Sequence, residues 1–281
     1  MENIDPLVSA DWLRANIEAP DVRIADATWF APFLNPPETG REAWKRGHIP
    51  KASYFDIDDI ADTSSPFPHM LPDAVKFSSR VRKLGLGDGS RIIVYDQNRF
   101  FASARAWWML RVMGHKDVYV LDGGLQAWVA AGGELDDLPP IVSERHFTPR
   151  VRTDLVIDTK GVESLVKSGK AAIIDARPAA RFTAADPEPR AGMRAGHIPG
   201  STNVPYSSLL TEDGRMKPVS ELKALFPNPL APAVTTCGSG VSAAVTALAL
   251  ARLGNWDVAV YDGSWAEWSS DPSRPVATGA A

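Results

Sequence analysis

The sequence predicts an α/β protein built from two tandem domains, each a parallel sheet flanked by helices. Three observations carry that prediction. Short β-rich runs alternate with helix-patterned ones, the alternation occurs twice, and the two halves share motifs at nearly constant spacing. In the first half, "RIADA", "RIIVYD" and "VYVLD" read as strands, separated by "PDAVKFSSRVRKLG" and "ASARAWWMLRVMG" with apolar residues at helical spacing. In the second, the strands are "AIIDA", "APAVTTC" and "VAVYD", and the helices are "PVSELKALF" and "SAAVTALALARLG". Strands joined through helices run parallel, because the crossover returns the chain to the same end of the sheet.

The repeat is explicit. Gly47-His48-Ile49-Pro50 recurs as Gly196-His197-Ile198-Pro199, a step of 149, and "RIADAT" is answered by "AIIDAR" at the same step. "DVYVLDGGLQAW" is answered by "DVAVYDGSWAEW" at a step of 140, so the first half carries about nine extra residues, assigned to the region of "DDIADTSSPFPHMLP". "LDDLPPIVSERHFTPRVR", with three prolines and no period, reads as a linker. The expected boundaries are a first domain over 1–138, a linker over 139–152 and a second domain over 153–281. His48 and His197 open the same turn in both halves and are expected to be structural.

Composition narrows the function. The chain has 281 residues, 44% of them hydrophobic, and a formal net charge of −4. No basic run marks a nucleic-acid surface, and no apolar run approaches the ~18 residues of a membrane span. The start "MENIDPLVSADWL" lacks the features of a signal peptide, and one cysteine permits no intrachain disulfide. A cytoplasmic protein acting on a small molecule is expected. The five histidines, at 48, 69, 115, 146 and 197, form no close ligand pairs, so neither metal nor cofactor is expected. "GLGDG" at 85–89 precedes a strand and reads as a turn rather than a nucleotide site.

The one cysteine stands in "TTCGSGVSAAVTALALARLG". An ungapped step of 140 sets "VTTCGSGVSAA" against "VYDQNRFFASA" and Cys237 against Gln97, so only the second half has a nucleophile. A loop between the carboxyl end of a parallel strand and a helix is where α/β folds place ligands. Gly238 and Gly240 are expected to take positive φ and turn backbone N–H groups inward. Those donors, with the positive end of the helix, would favour thiolate over thiol. A cysteine phosphatase would need an arginine at position 243, which is alanine, and no G-x-S-x-G elbow supports a serine hydrolase.

The two-domain repeat, the GHIP turns, the "YDGSWAEW" ending and above all the "CGSGVS" loop resemble the 3-mercaptopyruvate sulfurtransferases of the rhodanese superfamily. The resemblance implies two rhodanese-like domains, the first silent and the second accepting sulfur on Cys237 as a persulfide. Thiosulfate-using relatives carry a basic loop of the "CRKGV" kind; the neutral loop here suits a donor whose charge lies further from its sulfur. One departure is Ser242, where the family usually has Thr; the hydroxyl is kept.

The same resemblance assigns Arg181 and Arg190 to clamp the substrate, with Gly238, Gly240, Val241 and Ser242 completing its site. It groups Asp58 and His69 with Ser239 as a triad, while Arg177 is expected to brace the fold. The expected reaction releases pyruvate and passes sulfur to an external thiol, a thioredoxin-like dithiol or cyanide, since the chain has no second cysteine. The alternatives are a thiosulfate sulfurtransferase and a non-catalytic sulfur carrier.

Overall fold

The computed structural model describes residues 5–280, which form two compact units. The first comprises the chain up to Asp62, Leu71–Arg152 and Glu212–Met216; the second comprises Thr63–Met70, Thr153–Thr211 and the chain from Lys217 onward. Each unit holds a five-stranded parallel sheet. In the first, the elements are β1 (Leu7–Val8), α1 (Ala10–Asn16), β2 (Val22–Asp26), α2 (Gly40–Arg46), β3 (Ser53–Tyr54), α3 (Ile57–Ile60), α4 (Ala74–Lys83), β4 (Arg91–Tyr95), α5 (Ser103–Val112), β5 (Val118–Leu121) and α6 (Gly124–Ala130), with strand order β1-β5-β4-β2-β3. In the second they are β6 (Val156–Ile157), α7 (Thr159–Ser168), β7 (Ala172–Asp175), α8 (Ala179–Phe182), β8 (Ser201–Asn203), α9 (Val219–Leu225), β9 (Ala233–Thr236), α10 (Ala243–Arg252), β10 (Ala259–Tyr261) and α11 (Ser264–Ser270), in the order β6-β10-β9-β7-β8.

The six strands expected from the sequence are all present. The edge strands β1, β3, β6 and β8 are two or three residues long, too short to show an alternating pattern. Helices α5 and α10 follow the central strands and are apolar almost all round, and nearly every residue of each is buried. Residues 139–152 have no regular secondary structure, yet they are bound to the first unit. Phe147 is buried, Asp88 N–H donates to the His146 carbonyl, and Arg150 and Arg152 donate N–H to Met113 and Val112 at 2.9 and 2.7 Å.

Both GHIP turns are structural. His48 exchanges two backbone hydrogen bonds with Asp136, and His197 does the same with Ala277, so each turn pins the segment that follows the last helix of its unit. Each buried ring stacks on an aromatic residue, Trp44 or Phe182, and its Nδ1 meets that residue's carbonyl oxygen at 2.8 or 2.9 Å.

Register corrects the repeat. Ile24 pairs with Ile93 where Ile173 pairs with Val234, so β2 maps to β7 at a step of 149 but β4 maps to β9 at 141. From β5 to β10, and from α5 to α10, the step is 140. Eight of the nine extra residues thus precede the central strand, and the ninth lies in the loop that follows it.

One paired position separates the two cores. Asp175 in the second unit meets the guanidinium of Arg177, whereas its counterpart Asp26 has Thr28 at that place. Asp26 is fully buried and accepts from Thr28 N–H at 2.8 Å and the Thr28 hydroxyl at 2.5 Å. Burial pushes its carboxyl up to about 6, against the partial relief of those bonds. A folded-state value of about 6 against the unfolded ~3.9 means that the burden Asp26 places on the native state grows between about pH 4 and pH 6 and levels off above, reaching roughly 2 kcal/mol at neutral pH relative to pH 4. Asp26→Asn should therefore raise stability by about 1–3 kcal/mol at pH 8, the gain vanishing near pH 4. Denaturant titrations of both proteins at the two pH values test this, and an equal gain at both would refute the titration account.

Candidate active site

Cys237 is the residue immediately after β9, at the carboxyl end of the central strand of the second unit, and it is 2% exposed. The register sets it opposite Asp96, not Gln97 as the ungapped comparison held. Two hydrogen bonds confirm the equivalence. Leu125 N–H donates to the Asp96 carbonyl where Trp265 N–H donates to that of Cys237, and Ala27 donates to Tyr95 where Ala176 donates to Thr236. The ungapped reading missed this because the loop of the second unit is one residue shorter.

The corrected partner is more informative than the expected one. Asp96 is buried, and its carboxylate is wrapped by the loop that follows. Oδ1 accepts N–H from Asn98 and Phe100 at 3.0 and 3.1 Å, and Oδ2 accepts from Ala102 and Ser103 at 3.2 and 2.8 Å. Burial drives this carboxyl above its ordinary range, and the four amides oppose that drift. In the first unit, then, the turn between central strand and helix is a backbone cradle holding the chain's own carboxyl group. In the second unit the same place is occupied by a thiol.

The loop glycines divide their roles. Gly240 takes φ of 76°, as expected, but Gly238 does not have positive φ. A Cβ built on Gly238 would lie 3.2 Å from Nη2 of Arg181 and 4.0 Å from Nη1 of Arg190. Gly238 leaves room for the Arg181 guanidinium close to its backbone, and its own φ is not left-handed. Ser239, Val241 and Ser242 are buried beside it.

The arginines rest on a buried network that sequence reasoning did not find. Arg177 binds Asp175 through Nε and Nη2, at 2.7–3.1 Å, and donates to the Gly196 carbonyl. Its guanidinium lies 4.6 Å over the Trp265 ring. Burial works against the charge of Arg177, but Asp175 and Glu188 overcome it and hold the group more firmly protonated than usual. Glu188, whose side chain is wholly buried, joins this brace to the site: one oxygen accepts from Arg177 Nη1 at 2.7 Å and from Arg181 Nε at 3.3 Å, the other from Arg181 Nη2. The only sequence signal for Glu188 was its place in "PEPR", between the loop and Arg190. Arg194 serves elsewhere, donating to carbonyls of Trp268, Ser269 and Asp271 at the end of α11.

His69 belongs to the second unit although it is written in the first half of the chain. It is buried, with φ of 62°, and its Nε2 lies 3.3 Å from Nη2 of Arg190. Asp58 lies in the first unit, where Oδ2 accepts from the Trp29 indole at 2.6 Å. The second unit therefore brings together Cys237, Ser239, the loop, Arg181, Arg190 and His69. Among the described residues, no group of three His, Cys, Asp or Glu side chains is placed to hold a metal ion, and no helix is long and apolar enough to cross a membrane.

Two tandem sheets of this order, with a thiol at the end of the second central strand, have known counterparts. Residues 9–131 and 158–271 each match the rhodanese-like domain. The chain belongs to the rhodanese family. It is 41% identical to the 3-mercaptopyruvate sulfurtransferase of Escherichia coli over 273 residues, covering 96% of both chains. It is also similar to the thiosulfate sulfurtransferase of Gallus gallus, at 38% identity over 93% of this chain and 92% of that one. Among solved structures, the crystal structure of the E. coli 3-mercaptopyruvate sulfurtransferase SseA superposes with a TM-score of 0.85 at 39% identity, covering 93% of this chain and 99% of that one.

The Glu188 network makes a stability prediction. Replacing Glu188 by Ala strips a buried carboxylate from two arginines and should cost about 3–5 kcal/mol. Equilibrium unfolding in urea reads the loss, and a cost below about 1 kcal/mol would mean that the arginines do not depend on Glu188.

Proposed function

We propose that this rhodanese-family protein is a 3-mercaptopyruvate sulfurtransferase acting through a persulfide on Cys237. The carrying observation is the placement of the chain's one cysteine at the position where the sister unit stabilises a carboxylate with four backbone amides, with Arg181 and Arg190 facing the same loop. The thiolate is the form of cysteine that attacks sulfur, and two guanidinium groups face the loop that carries it.

In the reaction, the Cys237 thiolate attacks the sulfur of 3-mercaptopyruvate. The S–S bond forms as the C–S bond breaks, and its electron pair leaves on carbon as the enolate of pyruvate, which takes a proton to give pyruvate. Arg190 and Arg181 pair with the carboxylate and keto oxygen of the substrate. Ser239 and the amides of Gly238, Gly240, Val241 and Ser242 stabilise charge gathering on the enolate oxygen. His69, whose Nε2 lies against Arg190 within the same unit, moves the proton. The outer persulfide sulfur then passes to an external thiol, a thioredoxin-like dithiol or cyanide, which regenerates the thiolate. A thiol that must stay reduced suits a reducing compartment such as the cytoplasm.

The neutral loop supports 3-mercaptopyruvate over thiosulfate, because a compact dianion would gain from basic residues beside the thiol. Relatives named for thiosulfate at 38% identity keep that donor as the competing reading. Intact-protein mass spectrometry after brief exposure to each donor separates them. One added sulfur on Cys237, matched by released pyruvate and much weaker with thiosulfate, is expected; labelling by thiosulfate alone would overturn the donor assignment.

Two substitutions test the roles. Cys237→Ser should abolish pyruvate release while unfolding as the parent does, and turnover by that variant would rule out the persulfide. Arg190→Lys keeps the charge but loses the planar fork, so kcat/KM for 3-mercaptopyruvate should fall roughly 10–100-fold. Unchanged kcat/KM would remove Arg190 from the clamp.

A further inference from the structure

Outside the arginine pair and the loop, one buried side chain touches the nucleophile's backbone. Ser264, the first residue of α11, is fully buried and has φ of 50°. Its hydroxyl donates to the Tyr261 carbonyl at 2.7 Å, which leaves an oxygen lone pair for the N–H of Cys237 at 3.2 Å. We infer that Ser264 is a positioning residue for Cys237: its hydroxyl ties the nucleophile's amide to the end of β10 and so fixes the direction in which the thiol leaves the strand.

The sister unit supplies the comparison. At the repeat step of 140, Ser264 corresponds to Gly124, which has φ of 56°. A Cβ at Gly124 would come within 2.3 Å of the Asp96 carbonyl oxygen, so the first unit keeps glycine there. The left-handed region disfavours any residue with a Cβ, and serine gains nothing from it sterically. The second unit nonetheless carries a side chain at this strained, crowded point, and that side chain holds the amide of the reacting residue. Non-glycine residues in such conformations persist where the surroundings enforce them, typically at functional sites. In the first unit the residue at the strand end is a carboxylate gripped directly by four amides, and no serine is needed to aim it.

The constraint acts on orientation. With its own N–H bonded to Ser264, the Cys237 peptide is held at the end of β9, and the Cα–Cβ direction is held with it. A small error in the aim of a nucleophile is costly to rate, while ground-state binding through the arginine side chains, which do not bond to Ser264, is not affected.

The inference rests on Cys237 being the sulfur-accepting residue, and the experiment separates the two. Ser264→Gly installs the residue of the sister unit, which that backbone accepts, and Ser264→Ala keeps the Cβ without the hydroxyl. Each is compared with the parent by thermal unfolding, by kcat and KM for pyruvate release from 3-mercaptopyruvate, and by the pH–rate profile of Cys237 alkylation with iodoacetamide. Positioning predicts that both variants lose at least about tenfold in kcat with KM unchanged within about twofold, and that both shift the alkylation profile. S264G should melt at or above the parent's temperature, and S264A below it. A purely structural role predicts activity that follows stability, so S264G with parental kcat and alkylation profile would overturn the inference. Alkylation reads the proposal even where the parent releases no pyruvate, an outcome that would instead overturn the assigned reaction.

Discussion

A buried carboxyl group at the end of a parallel strand organises the first unit's loop. The Asp96 carboxylate sits where water cannot reach it, and the chain satisfies it by curling four backbone N–H groups around its two oxygens before α5 begins. Such a turn is held by charge-assisted hydrogen bonds rather than by side-chain packing. It also takes up donors at the start of a helix that would otherwise lack partners. The second unit keeps the strand and the helix, joins them by a loop one residue shorter, and has a thiol in place of the carboxylate.

The cationic side of the site rests on a second layer of buried charge. Arg181 is not a free surface cation, since Glu188 binds it and joins it to Arg177, which is locked to Asp175 and covered by Trp265. A flexible arginine loses considerable side-chain entropy when it grips a ligand; one already held in place has little left to lose. Desolvating these groups is costly, and the mutual pairing of two arginines with two carboxylates offsets it. Gly238 completes the arrangement by leaving room for the guanidinium groups against the backbone.

The fold was legible because the sequence writes it twice. Strands such as "RIIVYD" and "APAVTTC" and the largely apolar helices after them follow from local pattern, and the GHIP turns mark equivalent points in the two halves. The site was legible in part. Cys237, its glycine-serine loop and the arginine-bearing segment stand out by residue type, and Arg177 was recognised as a brace. Glu188 and Ser264 were not found, because a glutamate in a Pro-rich stretch and a serine in a Gly-Ser turn carry no signal until the chain brings them to an arginine and to an amide. The repeat did pair Ser264 with Gly124, but only the backbone conformation gives that pair a meaning.

The pairing of Cys237 with Gln97 fails for a related reason. Strand register is set by hydrogen bonds between neighbouring strands, and a one-residue difference in the loop moves the alignment without changing the hydrophobic pattern on either side. Sequence by itself determined the two-domain α/β architecture, the repeat and the place of the chain's one cysteine in a Gly-Ser loop after a strand, all of which depend on local periodicity and residue type. Only the tertiary structure decided that Asp96 is the counterpart of Cys237, that a segment of the first half carrying His69 joins the second unit, and that Arg181 is held by a buried glutamate. Those facts are relations between residues distant in the chain, fixed by packing and burial, and no local pattern encodes them.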